Sequence, residues 1–337
     1  MGQMKLIEQQ YTSVDQQGPV NSSVCCNIPA ALEDSRNSVI PRIAVLLAAF
    51  NGAQFLRSQV GSILEQQGVN VTIFIRDDGS TDATHVIALA LAEQDSRVLC
   101  MPQNVQPRSF GSNFLNLILN CPAGFDAYAF ADQDDLWFPS KLANAYQLLE
   151  QGYDFYSSGS VAFWENGKSS RIKPQQTMRK HDFLFQAGGA GCTIVMTGDV
   201  FAKIVTDLQD KRDLALQNFV HDWYFYAYAR INNYRWYISE KPGLLYRQHS
   251  DNYSGANSGK HAVSSRIERL RNGWYRKMLL SVMELTDYKQ HGDARIYKAL
   301  QRLNWRDRLW LASGCLTYRR SIGGAILLAV FLLTLIR

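Results

Sequence analysis

Three carboxylates crowd the short run Asp132-Gln133-Asp134-Asp135, which directly follows an apolar stretch at residues 127–131. Carboxylates packed this closely repel one another, and each is stabilised by a counter-charge. A hard divalent cation such as Mg²⁺ or Mn²⁺ supplies that charge, because it binds one or two carboxylates and takes phosphate oxygens in its other positions. The run therefore predicts a metal site that could neutralise a departing diphosphate. A solvated acidic turn that caps the following helix is the alternative interpretation.

A second acidic cluster begins at Asp77-Asp78, after another apolar run at residues 71–75, and extends to Thr81-Asp82. A turn that ends in a helix N-cap accounts for Thr81 or Asp82. Such a turn does not require two adjacent acids at its start. Carboxylates in this position can accept hydrogen bonds from a pyrimidine base or a ribose, so Asp77 and Asp78 are candidates for binding a nucleotide.

Alternating strands and helices position both clusters. The pattern predicts strands at residues 43–50, 71–75, 98–101 and 127–131, with helices at residues 55–64, 81–94 and 109–120. This alternation indicates βαβ units and a parallel sheet. Ligands of such sheets bind beyond the carboxyl ends of the strands, where both acidic clusters lie. The second half is less regular, and the pattern predicts strands at 155–164, 235–239 and 244–249, a glycine-rich stretch at 187–191 and an aromatic-rich helix from 221 to about 230.

The composition excludes several classes of protein. A chain of 337 residues with 46% hydrophobic residues can bury a sizeable core and is not disordered throughout. Six scattered cysteines without a CxxC pair favour buried reduced thiols over a disulfide scaffold. No GxGxxG follows the first strand and no GxxxxGK[ST] occurs, which disfavours dinucleotide- and ATP-binding enzymes. Residues 1–40 are rich in Gln, Asn and Ser and predict a flexible extension without a signal-peptide core.

Four blocks of sequence, taken in order, resemble the family 2 glycosyltransferases of GT-A fold: residues 47–56, 76–82, 132–137 and 221–223. The resemblance spans roughly residues 41–255. It looks closest to bacterial rhamnosyltransferases, which share the motifs at 191–193 (Gly-Cys-Thr) and 246–252 (Tyr-Arg-Gln-His-Ser-Asp-Asn). What it implies is an α/β protein of GT-A type, with a Rossmann-like, mostly parallel sheet flanked by helices, in a catalytic domain at residues 41–258.

The resemblance also implies roles for individual residues. The nucleotide-sugar donor would be bound by Ala49, Asn51, Asp77, Asp78, Asp132, Gln133 and His249. The Mg²⁺ or Mn²⁺ ligands would be Asp134, Asp132 and His249, and the acceptor side would be formed by Gly191, Cys192 and Trp223. Asp222 would be the general base that deprotonates the acceptor hydroxyl. The plainer alternatives are that Asp222 only begins a helix and that His249 is an ordinary hydrogen-bonded histidine.

The implied reaction is an inverting, metal-dependent transfer of a sugar from a nucleoside diphosphate in one displacement. The rhamnosyltransferase branch implies L-rhamnose from dTDP-β-L-rhamnose, and a glycan acceptor in cell-surface polysaccharide or lipopolysaccharide O-antigen or core biosynthesis. A transferase for another hexose or an N-acetylhexosamine from a UDP or dTDP donor stays open. An inactive sugar-binding homologue stays open as well, although the acids that it would lose first are all present.

The chain after residue 258 is basic and aromatic, and then apolar. Residues 259–320 predict Arg-rich helices with interspersed Trp and Tyr, and residues 321–337 predict an apolar C-terminal membrane anchor. Its apolar run of about 15 residues is roughly 22 Å long as a helix, shorter than a hydrocarbon core of roughly 30 Å. We therefore expect an interfacial or shallowly inserted anchor, and a tilted span stays open as the alternative.

Arg-rich helices with Trp and Tyr suit an anionic membrane surface, so we expect attachment to the cytoplasmic face of the bacterial inner membrane and a lipid-linked acceptor. Solvated arginines on helices that cover the sheet are the alternative. No nucleic-acid partner is expected, because the positive charge adjoins an apolar terminus and forms no groove motif.

Overall fold

The computed structural model describes residues 40–103, 109–174, 177–249, 268 and 271–334. Within these residues one sheet contains nine strands: β1 (Arg42–Ala49), β2 (Asn70–Asp77), β3 (Val98–Cys100), β4 (Ala127–Asp132), β5 (Leu136–Trp137), β6 (Phe155–Trp164), β7 (Ser169–Ile172), β8 (Val195–Thr197) and β9 (Trp236–Gln248). Their order across the sheet is β3-β2-β1-β4-β8-β6-β9-β5, and β7 pairs with the outer part of β6. The predicted extension at residues 1–40 lies almost entirely outside the described residues.

The first half of the sheet has the predicted parallel arrangement. Strands β3, β2, β1 and β4 are parallel neighbours, connected by α1 (Leu56–Leu64), α2 (Thr84–Gln94) and α3 (Phe110–Asn120). Their sequences are continuous apolar runs because helices cover both faces of the sheet. The four strands and three helices predicted for this half are confirmed within a few residues at each end.

The second half of the sheet is mixed, so the expectation of a mostly parallel sheet is wrong there. Strand β8 is antiparallel to β4 and β6, whereas β9 is parallel to β6 and antiparallel to β5. Strand β7 follows β6 after four residues, too short a connection for a parallel crossover. The two strands predicted at 235–239 and 244–249 are one strand, β9, whose register against β6 shifts beside Gly159.

Helices complete a layer on each face of the sheet. One layer contains α1, α2 and α4 (Lys141–Glu150), and the other contains α3, α5 (Gly198–Asp210), α6 (Arg212–Asn218) and α7 (His221–Ile231). Two 3₁₀ turns, Asp182–Leu184 and Gly191–Thr193, interrupt the chain between β7 and β8. The family 2 expectation of an α/β, GT-A-like fold is confirmed as a mixed sheet between helical layers.

The C-terminal region is helical, as predicted. It comprises α8 (Trp274–Leu285), α9 (Tyr288–His291), α10 (Ala294–Arg302), α11 (Trp305–Ser313), α12 (Cys315–Tyr318) and α13 (Ile322–Thr334). Side chains of these helices share one buried apolar cluster with α3, α5 and α7. Across the described part of the chain, no helix combines the length and the apolar character needed to cross a bilayer. The predicted boundary at 258/259 falls outside the described residues.

Candidate active site

The carboxyl ends of β1, β2 and β4 lie side by side, as the sequence predicts. In the strand register Ala49 is opposite Asp77, and Ala48 is opposite Asp132. Neighbouring strands are roughly 4.8 Å apart. The two acidic clusters, 55 residues apart in the chain, therefore meet at one edge of the sheet.

Hydrogen bonds brace the loop after β1 against the loop after β2. Asn51 adopts a left-handed backbone conformation (φ 49°), and its Oδ1 accepts from the Thr81 amide at 2.8 Å. The Asn51 amide donates to Ser80 Oγ at 2.8 Å, and the Ala53 amide donates to Asp82 Oδ2 at 3.1 Å. Asp82 Oδ1 also accepts from the amide that begins α2, at 2.9 Å, as expected of a capping residue. The predicted nucleotide loop is thus a rigid double turn.

Asp77 and Asp78 both form hydrogen bonds or ion pairs with other residues of the protein. The Asp77 carboxylate accepts from Ser80 and from Gln103 Nε2, at 2.5 Å in the second case. Asp78 is paired at 2.9 Å with the buried guanidinium of Arg76. Burial raises the pKa of Asp78, and the bond to Arg76 opposes that shift. A carboxylate has about four lone-pair sites, so both acids keep capacity for a ribose or a base. Their nucleotide-binding roles stay predictions.

Gln133 has a structural role that the sequence does not indicate. Its Oε1 accepts from the Phe50 amide at 2.7 Å and its Nε2 donates to the Phe50 carbonyl at 2.9 Å. A Cβ on Gly52 would lie 2.2 Å from the same Oε1, which explains the glycine. The Gln133 side chain therefore holds the loop after β1 against the end of β4, and its implied contact with the sugar nucleotide stays a prediction. Ala49 is 1% exposed, and its carbonyl accepts from the Asp78 amide at 2.9 Å.

Two carboxylates of the acidic run and one cysteine thiol lie close together in the folded protein. Ligand atoms of Asp132, Asp135 and Cys192 lie within 4.8 Å of one another. Burial, the neighbouring Asp134 and Asp222 raise the pKa of Asp132 to about 7. Asp135 is fully buried, and neither carboxylate oxygen has a hydrogen-bond partner among the described residues. Burial raises its pKa well above the usual range, and the adjacent carboxylates add to the shift. A bound cation would favour the ionised forms of both acids and so lower these pKa values.

Lys141 is a buried positive group beside this cluster. It is the first residue of α4 and is 2% exposed, and its Nζ donates to the Cys192 carbonyl at 2.7 Å. The same ammonium lies over the ring of Trp137. Burial lowers the pKa of Lys141 to about 7, a shift that Asp135 and Asp132 partly oppose. The partly charged ammonium of Lys141 therefore compensates the neighbouring carboxylates only in part.

Asp134 faces the other side of the run, toward the end of β9. Its Oδ2 lies 2.7 Å from Nε2 of His249, and its carbonyl accepts from Arg247 Nε at 3.0 Å. The Arg247 guanidinium lies between the rings of Phe55 and Phe163, at 4.8 and 4.7 Å. His249 is thus positioned to orient Asp134, as residues around a metal ligand do. The proposal of His249 as a metal ligand itself stays a prediction.

Asp222 is the second residue of α7 and is half-buried. Its charge contributes to the raised pKa of Asp132, so the two carboxylates are close enough to interact electrostatically. Burial raises the pKa of Asp222 to about 6, against two backbone hydrogen bonds that lower it. A carboxylate with a pKa near neutrality is matched to general-base catalysis.

His221 and the predicted acceptor residues surround the start of α7. His221 is 1% exposed and packs on Phe114 and Phe130, and burial lowers its pKa to about 3. A Cβ on Gly191 would lie 2.1 Å from His221 Nε2, so only glycine fits there. Trp223 is half-buried, and its Nε1 donates to the Phe183 carbonyl at 3.0 Å.

Cys192 does not fit its predicted place on the acceptor side. It is 1% exposed and lies against Asp132 and Asp135, so its thiol offers no surface to an acceptor in this conformation. Burial holds its pKa well above the usual range, so it remains a thiol. A thiol is a poor ligand for Mg²⁺ or Mn²⁺, which prefer oxygen. The oxygen donors that the structure brings together for such a cation are therefore the carboxylates of Asp132 and Asp135, and the role of Asp134 as a metal ligand stays a prediction.

Asp135 is the residue that sequence reasoning missed. It belongs to the acidic run, but the predicted ligands were Asp132 and Asp134. No local pattern marks it, because Asp135 and Cys192 are 57 residues apart in the chain and meet only in the folded protein.

An α/β fold with two acidic clusters at one edge of a sheet and a further partly buried carboxylate at Asp222 is typical of a sugar-nucleotide-dependent transferase. Residues 44–202 match the family model described as glycosyl transferase family 2. The chain is 34% identical over 239 residues to the dTDP-rhamnosyl transferase RfbG of Shigella flexneri, across 70% of this chain and 83% of that protein. The chain belongs to glycosyltransferase family 2.

Other similarities are more distant. The chain is 32% identical over 115 residues to the UDP-Glc:alpha-D-GlcNAc-diphosphoundecaprenol beta-1,3-glucosyltransferase WfaP of Escherichia coli. The aligned residues make up 34% of this chain and 44% of that enzyme. Among solved structures, it resembles a mannosyltransferase from Pyrobaculum calidifontis in complex with GDP-Man and Mn²⁺, with a TM-score of 0.49, 14% identity and coverage of 98% of this chain and 92% of the other. The protein is accordingly a glycosyltransferase that moves a hexose from a nucleotide-sugar donor.

Proposed function

We propose that this protein is an inverting rhamnosyltransferase that transfers L-rhamnose from dTDP-β-L-rhamnose to a glycan acceptor. The observation that carries the reaction type is the partly buried carboxylate of Asp222 at the start of α7, near enough to Asp132 to raise its pKa, beside the cluster of Asp132 and Asp135. The similarity to a dTDP-rhamnosyl transferase over most of both chains supports the choice of donor. A cell-surface polysaccharide or a lipopolysaccharide O-antigen or core is the proposed setting.

In the proposed reaction, Asp222 takes the proton from the acceptor hydroxyl as its oxygen attacks the anomeric carbon of the donor. The bond from that carbon to the diphosphate oxygen breaks on the opposite side, so the configuration inverts. The braced loop at Asn51, with Asp77 and Asp78, holds the nucleotide still. A Mg²⁺ or Mn²⁺ held by Asp132, Asp134 and Asp135 would stabilise the negative charge on the leaving dTDP.

The donor is tested by incubating the purified protein with Mn²⁺ and a panel of sugar nucleotides, and by measuring release of nucleoside diphosphate. The panel contains dTDP-rhamnose, dTDP-glucose, UDP-glucose and UDP-N-acetylglucosamine. We expect the highest kcat/KM with dTDP-rhamnose. A preference of tenfold or more for a UDP-sugar would replace rhamnose with that sugar, and binding of dTDP-rhamnose without turnover would favour an inactive sugar-binding homologue.

We further propose that the protein attaches to the cytoplasmic face of the inner membrane and acts on a lipid-linked acceptor. Helix α13 buries Ala325, Leu328 and Leu332 against its neighbours. Its other face, with the nearby parts of α11 and α12, exposes large apolar side chains: Trp305, Leu309, Leu316, Ile322, Ile326, Leu327, Val330 and Leu333. A set of exposed apolar residues of this size is unusual for a free surface and suits the interfacial region of a bilayer.

Vesicle flotation tests this attachment. The Ile326→Glu variant should lose binding to vesicles of phosphatidylethanolamine and phosphatidylglycerol, because a carboxylate cannot enter the apolar interface. The matched control is Val86→Glu, which changes an equally exposed apolar residue on the distant helix α2 and should leave binding unchanged. Equal binding of wild-type protein and the Ile326→Glu variant would refute the attachment through α13.

A further inference from the structure

The segment of residues 181–187, between β7 and the glycine-rich stretch, is held on one side by α7. The Asp182 carboxylate is fully buried and accepts from Arg230 at 2.8 Å and from the Tyr226 hydroxyl at 3.1 Å. The Phe183 carbonyl accepts from Trp223 Nε1 at 3.0 Å. These three donors lie on the helix that begins at His221-Asp222, so the segment and the proposed base share one support.

On its other side the same segment is held by the C-terminal helices. The His181 amide donates to the Thr317 carbonyl at 3.0 Å. The Phe185 carbonyl accepts from Arg319 at 2.8 Å and from the Tyr275 hydroxyl at 3.2 Å. The segment therefore lies between the catalytic layer and the region that carries the proposed membrane surface.

Arg320 connects the two supports. Its side chain is only 7% exposed, its Nε lies 3.4 Å from the Asp182 carboxylate, and its Nη2 donates to the Ala187 carbonyl. Asp182 is thus bound by one arginine from α7 and one from the C-terminal region. A fully buried carboxylate that loses one of two such partners is left undercompensated, which makes the pairing costly to disturb.

Ala187 leads directly into the glycine-rich stretch on the predicted acceptor side of the site. A Cβ on Gly188 would lie 2.6 Å from the Trp236 ring, and one on Gly189 would lie 2.8 Å from Ser157. The chain from Ala187 to Gly191 is therefore packed closely on both sides, and Gly191 touches His221. The next residue, Cys192, lies against Asp132 and Asp135. Close-packed chains of this kind transmit displacements because they contain little free volume.

We propose that Arg320 is a positioning residue: through Asp182 and Ala187 it holds the stretch from Gly188 to Thr193 against Asp222 and the acids. The C-terminal helices are then part of the catalytic scaffold as well as the proposed membrane contact. This inference rests on the proposed role of Asp222. If the C-terminal helices move at a membrane, Arg320 moves with them and shifts the residues on the predicted acceptor side.

The experiment uses Cys192 as a built-in reporter. The full-length protein is treated with N-ethylmaleimide, and labelling of each cysteine is followed by mass spectrometry. We expect Cys192 to be labelled at least tenfold faster in the Arg320→Gln variant, with Cys121 labelled within twofold of its wild-type rate. Cys121 is buried in the apolar cluster that the C-terminal helices share with α3, α5 and α7, so it reports general loosening there. An unchanged rate at Cys192, or equal acceleration at both cysteines, would overturn the inference.

Two further variants complete the design. Arg276→Gln is the matched control, because Arg276 donates to the Leu300 and Gln301 carbonyls within the C-terminal region. It should leave the labelling rate of Cys192 unchanged. Arg320→Lys keeps the charge beside Asp182 but loses the forked geometry, and should accelerate labelling about threefold. If the Arg320→Gln variant does not fold, the Arg320→Lys variant is used in its place. An unchanged labelling rate of Cys192 in Arg320→Lys then contradicts the proposed role of Arg320.

A second readout separates positioning from general damage. With Mn²⁺ and dTDP-rhamnose, Arg320→Gln should lower kcat for donor hydrolysis about tenfold while the Kd for dTDP stays within twofold. Equal losses in nucleotide binding and turnover would indicate a structural role only. The labelling experiment needs no substrate, so it tests the role of Arg320 even if dTDP-rhamnose proves to be the wrong donor.

Discussion

The Asp222→Asn substitution separates the proposed base from every other function of the site. Asparagine has the same shape, and its oxygen can still accept from the Trp223 amide, which now donates to Asp222 Oδ1 at 2.8 Å. It cannot take a proton from the acceptor. With a pKa of about 6, roughly 97% of the Asp222 side chains are ionised at pH 7.5, so nearly all wild-type molecules carry an active base.

General-base catalysis contributes about 10²- to 10⁴-fold to a rate. The Asp222→Asn variant should therefore lose that factor in kcat, which corresponds to about 3 to 5 kcal/mol in the activation barrier. The KM for the donor should stay within about twofold, because Asp222 faces the acceptor. Burial raises the pKa of the folded carboxyl, so the ionised form is disfavoured in the folded state and stability is lost as the pH rises through about 6. The neutral variant should thus be no less stable than wild type at pH 7.5.

Asp199→Asn is the matched control. Asp199 is the second residue of α5, as Asp222 is of α7, but it is exposed and outside the site. Both substitutions remove a carboxylate near a helix N-terminus, and only the one at Asp222 should reduce transfer. The wild-type rate should also fall about tenfold per pH unit below pH 6, as the base becomes protonated. A variant at Asp222 that retains more than a tenth of wild-type kcat, with donor KM unchanged, would refute its role.

Three other substitutions probe the donor side and the acid cluster. Gln133→Ala removes both hydrogen bonds to the Phe50 backbone and should raise the donor KM about tenfold with little change in kcat, measured by steady-state kinetics. Lys141→Met leaves the Cys192 carbonyl without its donor and should lower the free energy of unfolding by about 1–3 kcal/mol in a denaturant titration, while Mn²⁺ binds the more negative cluster more tightly. His249→Gln should weaken the apparent Mn²⁺ affinity about 10- to 100-fold in a metal titration of turnover, because it removes the group that orients Asp134.

The parallel half of the sheet could be predicted because each of its strands is marked by residues that are adjacent in the sequence. A strand covered on both faces must be apolar throughout, and a loop that binds ligands must follow its carboxyl end. Residues 127–131 and Asp132 show this sequence of features within six positions. The mixed half could not be predicted in the same way, because the antiparallel pairing of β8 with β4 joins residues about 70 positions apart and is decided by packing.

The same distinction separates predicted from unpredicted site residues. The carboxylates at strand ends are visible in the sequence because each lies beside the strand that positions it. The partners of Gln133 and Asp135 are not visible. Gln133 binds a backbone 83 residues earlier in the chain, and Asp135 approaches Cys192 only when β8 joins the sheet. Neither contact has a local pattern from which to infer it.

The arginines after residue 258 show why composition alone can mislead. The sequence suggested a basic membrane-facing surface, but Arg276 and Arg308 donate to carbonyls at helix C-terminal ends, and Arg319 and Arg320 bind the 181–187 segment. A guanidinium satisfies a helix terminus or a lipid phosphate equally well, and only the tertiary structure decides between them. Arginines committed to the protein interior cannot also neutralise anionic lipid. These four arginines therefore contribute little to the proposed membrane contact, which depends on the exposed apolar face of α13 and on the basic residues that stay exposed: Arg271, Lys277, Arg295, Lys298 and Arg306.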